Sequence, residues 1–538
     1  MKKHLLFLIT AVLLSMASTF AQGEEVFWKK NFGGSHKDVY QSVTAVQDGV
    51  VAVGYSESGS FGNGDWTDIA GKGGVDAIVV KYDNAGSVIW KKNFGGENTD
   101  YYISVTAVPD GIVAVGYSES GSFDNGDWTD IAGKGGVDAI VVKYDNDGSM
   151  VWKKNFGGNN NDYYISVAAV PDGIVAVGMS EFGSFGNGDW VDVTGKGSND
   201  AIIVKYDNAG NVVWKKNFAF FAYTQFSSVA AVSDGIVAVG FCSQASPPSN
   251  PDAIIVKYNN DGNVVWEKRF GGVGSDFYES VTAVSDGIIA VGYSNHYSFN
   301  TGDWVGISAK GNNELLRDAT IVKYSNNGNV VWKKNFGGFD DDLYSSVVAV
   351  PDGIVAVGYS RTGSFGNSDW VGVAGKGNFD AVIVKYNDAG NVVLKKNFGG
   401  SHDDHYFSIT SVIDGIVAVG YSGSGSFGNG DWNGVAEKGN EDAIIVKYTV
   451  GGVGIIGSLQ ESNIKIYPNP TTGELRIENG DLKIENVEVH DVYGRKHMFQ
   501  TSQTFAEIVI NISHLSAGIY FVKISTEAGQ VIKKVLKE

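Results

Sequence analysis

A single cysteine, Cys242, in 538 residues excludes an intramolecular disulfide and any metal site built on several thiolates. Proline is scarce, at 8 residues, and no Gly-X-Y period accompanies the 73 glycines, so a collagen-like chain is excluded. The 8 histidines stand in no zinc or nucleophile pattern, and the sequence holds no G-x-S-x-G elbow, P-loop or Rossmann context. GSFGNG resembles a phosphate loop in composition alone. Positive charge is in the minority, 41 Lys and Arg against 60 Asp and Glu for a net charge of −19, which argues against nucleic acid and anionic membrane surfaces as partners. What is present is 43% hydrophobic residues and 12 Trp, enough to bury a core and to exclude disorder. The glycine-punctuated pattern predicts a globular chain rich in β-hairpins.

Residues 1–21 combine Lys2 and Lys3, an apolar run from Leu5 to Leu14, and small residues ending at Ala21, the pattern of a secretory signal peptide. No cysteine follows that run, so a lipid anchor is not expected. No later stretch reaches the roughly 18 uncharged apolar residues of a transmembrane helix. After a Gly-rich bridge, 449–463, the text changes to strand-like alternation with Gly and Asn turns, which predicts a small β-sandwich over 464–538.

That last segment carries Tyr467-Pro468-Asn469-Pro470 with Gly473, then Asp491-Val492-Tyr493-Gly494-Arg495, then Leu515 through Gly518-Ile519-Tyr520, and a basic close Lys533-Lys534-Val535. It resembles the type A C-terminal sorting domain of proteins exported by the type IX secretion system. The resemblance implies recognition by that machinery through Tyr467, Pro468, Asn469, Pro470, Gly494, Gly518 and Tyr520. It also implies a location outside a Gram-negative cell or on its outer surface, often with removal of the domain and sometimes attachment to surface lipopolysaccharide.

Between the two ends, Asp-Gly recurs at Asp48, Asp110, Asp172, Asp234, Asp286, Asp352 and Asp414, 62 residues apart except for 52 after Asp234 and 66 after Asp286. Each of these repeats holds four strand-like runs rich in Val, Ile and Tyr, such as 104–108, 112–118, 138–144 and 149–157. Asp-Gly between apolar runs is a strong hairpin signal, so each repeat reads as a four-stranded antiparallel meander. The series opens on an orphan fourth run, Phe27 to Gly33, and closes on an orphan third run, Asp442 to Tyr448. That displacement fits an all-β, seven-bladed propeller over 24–448, closed by the N-terminal strand so that no sheet edge stays open. The repeat resembles the SBBP-type β-propeller repeat through Asp-Ala-Ile-Val-Val-Lys-Tyr, Gly-Asn-Val-Val-Trp-Lys-Lys-Asn-Phe-Gly-Gly and Asp-x-Tyr-x-Ser. Members of that family mostly lack an assigned biochemical function. The fourth repeat departs, with Phe218-Ala219-Phe220-Phe221 in place of Phe-Gly-Gly, a shortened loop, and Cys242.

The second-to-third connections are long, and with the blade links they share one face. There, six repeats carry Trp66, Trp128, Trp190, Trp304, Trp370 and Trp432, each preceded by an acid: Asp65, Asp127, Asp189, Asp303, Asp369 and Asp431. Exposed, these would stack on sugar faces or hold apolar side chains, with Asp accepting from hydroxyls. Packing of each loop between neighbouring blades explains the same repetition and is the favoured alternative. Asp-x-Tyr-x-Ser, from Asp38-Tyr40-Ser42 to Asp404-Tyr406-Ser408, is expected to bond backbone groups at the blade links. Convergence of these acids on a channel to bind calcium is the weaker reading. No cofactor, no metal and no catalytic residue is assigned. The expectation is a monomeric secreted or surface-displayed binding or adhesion module for a glycan or protein. The alternative is an extracellular polysaccharide-acting hydrolase or lyase with carboxylates near the channel.

Overall fold

The computed structural model describes residues 26–244, 250–311, 316–449, 465–478, 484–491, 496–497, 500–503, 507–526 and 529–538. The expected signal peptide, the bridge from residue 450 onward and Gly494 lie outside them. Among the described residues the regular structure is β-strand with short 3-10 turns, and no helix is long and apolar enough to cross a membrane.

Each repeat folds as an antiparallel meander. In the first, Asp38–Val46 pairs with Gly49–Glu57, then Val75–Asp83, then Val88–Phe94. The two middle strands are buried on both faces, and for that reason read as near-continuous Val, Ala and Ile runs. The fourth strand is exposed at Val88 and Ile89 and buried at Phe94. A bulge between Tyr40 and Ser42 in the first strand brings the Val39 carbonyl against Gly54, where a Cβ would lie 1.9 Å from the oxygen. That approach is why the second strand breaks its apolar run with glycine.

The same order recurs at Asp100–Phe156, Asp162–Phe218, Tyr223–Phe270, Asp276–Phe336 and Asp342–Phe398. Asp162–Phe218 and Tyr223–Phe270, the third and fourth meanders of the chain, count as one eight-stranded sheet through a single parallel bridge, Asn199 to Tyr223. Equivalent bridges link Val75 to Thr99, Val137 to Asn161 and Lys37 to Glu441. The last sheet contains Asp404–Val412, Gly415–Gly423, Glu441–Tyr448 and, as its fourth strand, Val26–Phe32 from the other end of the repeat region.

Sheets pack face to face. Val51, Val53, Ala77 and Val79 of the first meet Tyr102, Ile112, Trp128 and Ile140 of the second. Val417, Val419, Ala443 and Ile445 of the last sheet meet Val50, Ala52, Ile78 and Trp66 of the first. Burying one such large apolar side chain contributes about 1.5–3 kcal/mol. First strands of neighbouring sheets lie side by side: the Val105 amide donates to Ser42 Oγ at 3.3 Å, and the Val43 amide to Ser408 Oγ at 3.2 Å. On the opposite edge, Trp28 donates its Nε1–H to the Asn84 carbonyl at 3.0 Å and covers Gly86. Gly86 has φ +81, and a Cβ there would meet the indole at 2.8 Å.

In the C-terminal segment, two four-stranded antiparallel sheets share a core of Leu475, Ile477, Val489, Ile510, Val522 and Ile524. Tyr467 donates to Glu478 at 2.8 Å, Asn469 Oδ1 accepts the Leu536 amide at 2.9 Å, and Tyr520 donates to the Ser516 carbonyl at 2.9 Å.

Six meanders join the Asp-x-Tyr-x-Ser tyrosine to a tyrosine of the third strand, hydroxyl to hydroxyl, at 2.7–2.8 Å, as in Tyr40 with Tyr82. In the fourth, Phe226 takes the first position and the Tyr258 hydroxyl is buried without a partner. Phe226→Tyr should therefore raise the unfolding free energy by about 1 kcal/mol, while Tyr82→Phe, which orphans Tyr40, should lower it by about 1–3 kcal/mol. Denaturant unfolding followed by tryptophan fluorescence measures both, and a destabilised Phe226→Tyr would contradict the account.

Candidate functional site

The six loop tryptophans are 0% exposed. Each is sealed beneath its own long loop and points its Nε1–H at the aspartate of Asp-x-Tyr-x-Ser in the same meander. Trp66 donates to Asp38 at 3.1 Å, Trp128 to Asp100 at 3.0 Å, Trp190 to Asp162 at 2.9 Å and Trp304 to Asp276 at 2.7 Å. Trp370 to Asp342 at 2.8 Å and Trp432 to Asp404 at 3.0 Å complete the set. Asp38 also accepts from Ser56, from Ser60 at 2.7 Å and from the Gly34 amide at 2.9 Å. One buried carboxylate thus ties together the blade link, the end of the second strand, and the start and middle of the loop. Phe32 of the neighbouring sheet meets the Trp66 ring edge-on at 4.9 Å.

No face of these rings is open, so the expectation that Trp66, Trp128, Trp190, Trp304, Trp370 and Trp432 stack on a ligand does not hold; they are pins. Nor do the Asp-x-Tyr-x-Ser acids converge on a channel as calcium ligands, because each is enclosed within its own meander. Among the described residues no group of three or more His, Cys, Asp or Glu is placed to hold a metal ion.

The aspartates preceding the tryptophans are also engaged, and all but the exposed Asp303 are half-buried. Asp65 pairs with Lys438 and accepts the Gly33 amide at 3.0 Å. Asp127 pairs with Lys72, Asp189 with Lys134 at 2.6 Å, Asp369 with Lys310 at 3.0 Å and Asp431 with Lys376 at 2.5 Å. Each pair runs from one meander to the next. Such pairs contribute about 0–1 kcal/mol apiece, so they set register between sheets more than they stabilise them. Asp303 keeps the Gly271 amide at 3.1 Å, while the long loop that would supply its lysine is missing from the fourth meander.

That meander tests the coupling. Its short loop carries no Trp, and at the positions of Asp38 and Ser56 it holds Thr224 and Cys242, which face each other in the same register. Once the indole donor is gone, a buried carboxylate would be undersatisfied, and a neutral pair takes its place. Burial pushes the Cys242 thiol up to about 12, so it stays protonated and inert.

One pair of positions is only partly repeated. At the ends of the strands beside the blade links, the residue after the Gly of the second strand is tyrosine in five meanders, Tyr55, Tyr117, Tyr293, Tyr359 and Tyr421, with Met179 in the third and Phe241 in the fourth. Next to it stands the residue following the buried aspartate or its replacement. These side chains form arcs of rings: Tyr55 to Tyr101 at 4.6 Å, Tyr101 to Tyr117 and Tyr117 to Tyr163 both at 5.0 Å. Phe241 to Phe277 at 4.8 Å, Phe277 to Tyr293 at 4.7 Å, and Tyr359 to His405 at 4.1 Å continue them. The Tyr223 hydroxyl, 3.4 Å from Met179 Sδ, joins the first two arcs. Most of these rings are half-buried.

The charged residues at their edge also change from repeat to repeat. Glu57, Glu119 and Glu181 end the second strands of the first three meanders, where the fifth and sixth have Asn295 and Arg361. Arg317 pairs with Asp341 at 2.9 Å, Arg361 with Asp340 at 3.7 Å and Lys37 with Glu441 at 2.6 Å. Glu279 occupies the bulge of its first strand, and burial pushes its carboxyl up to about 7. The repeated Asp-Trp does not mark this belt; the tyrosine repeated after the second-strand glycine, and the residue after the aspartate that differs among repeats, are its signal in the sequence.

Burial likewise raises the node carboxyls against the donors that oppose it, to about 6 for Asp162 and Asp404 and about 7 for Asp342. A folded-state value above the unfolded 3.8 means the native state holds the proton more tightly. The stability these groups contribute is complete below about 3.8 and is lost as pH climbs through 6 to 7. Carboxyl carbon shifts followed by NMR should titrate with those midpoints; values near 3.8 for all three would refute the burial effect.

Comparison with known proteins adds the destination. Residues 465–538 match the family described as secretion system C-terminal sorting domain. The chain is 26% identical over 223 residues to an uncharacterized protein of Aquifex aeolicus, covering 37% of this chain and 62% of that one. It is 25% identical over 185 residues to the regulatory protein FlaEY of Caulobacter vibrioides, covering 31% of this chain and 19% of the relative. The WD40 β-propeller domain of Doa1 aligns with a TM-score of 0.40 at 11% identity, over 80% of this chain and 99% of that one. The phage phi92 endosialidase aligns with a TM-score of 0.39 at 11% identity, over 88% and 76%. The C-terminal segment of this chain, residues 465–538, marks it for export by type IX secretion to the cell surface or the extracellular space.

Proposed function

We propose that the meanders close into a seven-bladed propeller with Val26–Phe32 as its clasp, and that this body is a binding or adhesion module whose ligand sits within the aromatic belt at the mouth of the central channel. The clasp is supported by the pairing of Val26–Phe32 with Glu441–Tyr448 and by the shared core of the first and last sheets. The observation that carries the binding reading is the belt itself. Half-buried aromatic rings gather there, a second-strand tyrosine in five of the seven meanders and, beside it, a first-strand residue that differs from repeat to repeat. Rings of this kind offer a large apolar area with a polar tip at little entropic cost, which suits a glycan or a protein side chain. The sorting segment would put that mouth before extracellular ligands.

A second reading is favoured by Glu279. A carboxyl held near 7 is the form a general acid takes, and a hydrolase or lyase acting on polysaccharide would use one. Glu279→Gln should then abolish any degradation detected on a polysaccharide panel, and no degradation by the unaltered protein would retire this reading.

Screening the secreted protein on glycan and peptide arrays tests the binding reading. Tyr101→Ala combined with Tyr163→Ala should weaken a detected ligand at least about tenfold, whereas Trp66→Phe should leave its affinity unchanged while lowering stability. Retained affinity in the tyrosine variant would overturn the proposed site. Removing residues 26–32 should expose the edge of Glu441–Tyr448 and lower the melting temperature by several degrees; an unchanged melting temperature would count against the clasp.

A further inference from the structure

The belt carries cations at some of its stations and none at others. Around the fifth to last meanders and the first link, the protein lays its own positive groups on the rings. The Arg317 guanidinium lies 5.3 Å from the Tyr293 centroid, Arg361 5.7 Å from Phe379, and Lys37 Nζ 5.6 Å from Tyr421. Each of these cations is also held by a carboxylate, Asp341, Asp340 and Glu441 respectively. Ring, cation and carboxylate thus occur together three times.

At the first three meanders the ring and the carboxylate are present and the cation is not. Tyr55 and Tyr101, and Tyr117 and Tyr163, stand edge to face and Tyr101 is tilted against Tyr117; all four are half-exposed, as are Glu57, Glu119 and Glu181, which end the same second strands. Burial first raises the Tyr101 and Tyr163 phenols, and the negative charge of Glu119 and Glu57 adds to this at Tyr101, that of Glu181 and Glu119 at Tyr163. Among the described residues none of the three glutamates makes an ion pair with a basic side chain. Glu181 accepts only amides, from Asn161 at 3.0 Å and Asn160 at 3.3 Å. Lys37, the basic group that Tyr101 feels, is held by Glu441.

We propose that the arc formed by Tyr101, Tyr117 and Tyr163 with Glu57, Glu119 and Glu181 is a subsite for protonated amines, a ligand supplying the ammonium groups that Arg317, Arg361 and Lys37 supply elsewhere on the belt. An ammonium over a tyrosine face is attracted by the ring quadrupole, and a neighbouring carboxylate completes its neutralisation. The carboxylates come from successive meanders, so a ligand with more than one amine bridges two stations and gains by effective concentration. The chemistry is that of a primary or secondary alkylammonium, from a free polyamine or from a lysine side chain. The assignment rests on the channel mouth being the binding site and names what one arc of it recognises.

Isothermal titration of the full-length secreted protein with spermidine and with Nα-acetyl-lysine methylamide tests it. We expect spermidine to bind, to weaken as salt rises, and to lose at least about tenfold in affinity in the triple variant Glu57→Gln, Glu119→Gln, Glu181→Gln. Tyr101→Phe, which keeps the ring face, should retain binding, and an unchanged melting temperature in the triple variant shows that its fold is intact. Binding of spermidine alone identifies a free polyamine as the source; comparable binding of the lysine derivative identifies a protein side chain. No amine binding, or equal binding by the triple variant, overturns the proposal. If an uncharged ligand is then found whose binding requires Tyr101 and Tyr163, the channel mouth stands and only the amine subsite falls; if no ligand depends on those tyrosines, both fall.

Discussion

The structure of the repeat region depends on a desolvated carboxylate. An aspartate removed from water costs several kcal/mol unless each lone pair finds a donor, and here the donors come from four separate places: a glycine amide in the link, two serines and an indole. Satisfying Asp38 therefore fixes at once where the first strand begins, where the second ends and how the long loop folds back. The loop looks irregular in sequence, yet it is the best anchored part of the meander. The fourth repeat shows the constraint from the other side, since loss of the indole is accompanied by Thr224 and Cys242 in place of the acid and its serine partner.

Much of this was legible in the sequence, for physical reasons. Strand order followed from Asp-Gly turns and doubly buried Val and Ile runs. The orphan runs at the two ends of the repeat region are paired with each other, Trp28 against Lys447 and Phe32 against Ala443. Phe-Asp-Trp drew attention as a possible ligand surface because Trp is large and amphipathic, but a sequence does not say whether an indole N–H finds a carboxylate inside or outside. The acids before those tryptophans carry no such sign either, and five of them pair with a lysine of a neighbouring meander.

The belt was not legible because only its second-strand tyrosine is repeated. Its first-strand members are unlike one another, Tyr101 at the position of Leu343 and His405, and they become neighbours only when the first strands of successive sheets lie together. Copying a repeat preserves whatever the framework needs; a position free to differ among copies is one that the framework does not hold. The charge asymmetry of the belt, acidic over the first three meanders and self-neutralised over the later ones, follows from that freedom.

The N-terminal strand has a consequence for synthesis. Asn31 donates to Asp442 across 411 residues of intervening chain. Contacts of such separation form late, because nearly the whole polymer must be ordered before the loop they close is rewarded. Val26–Phe32 therefore waits unpaired through production of every repeat, and a chain that ends early has nothing for it to join. Completion of the last sheet thereby doubles as a length check: a full-length chain pairs the two ends of the repeat region with each other, while a prematurely ended one leaves two strand edges unpaired.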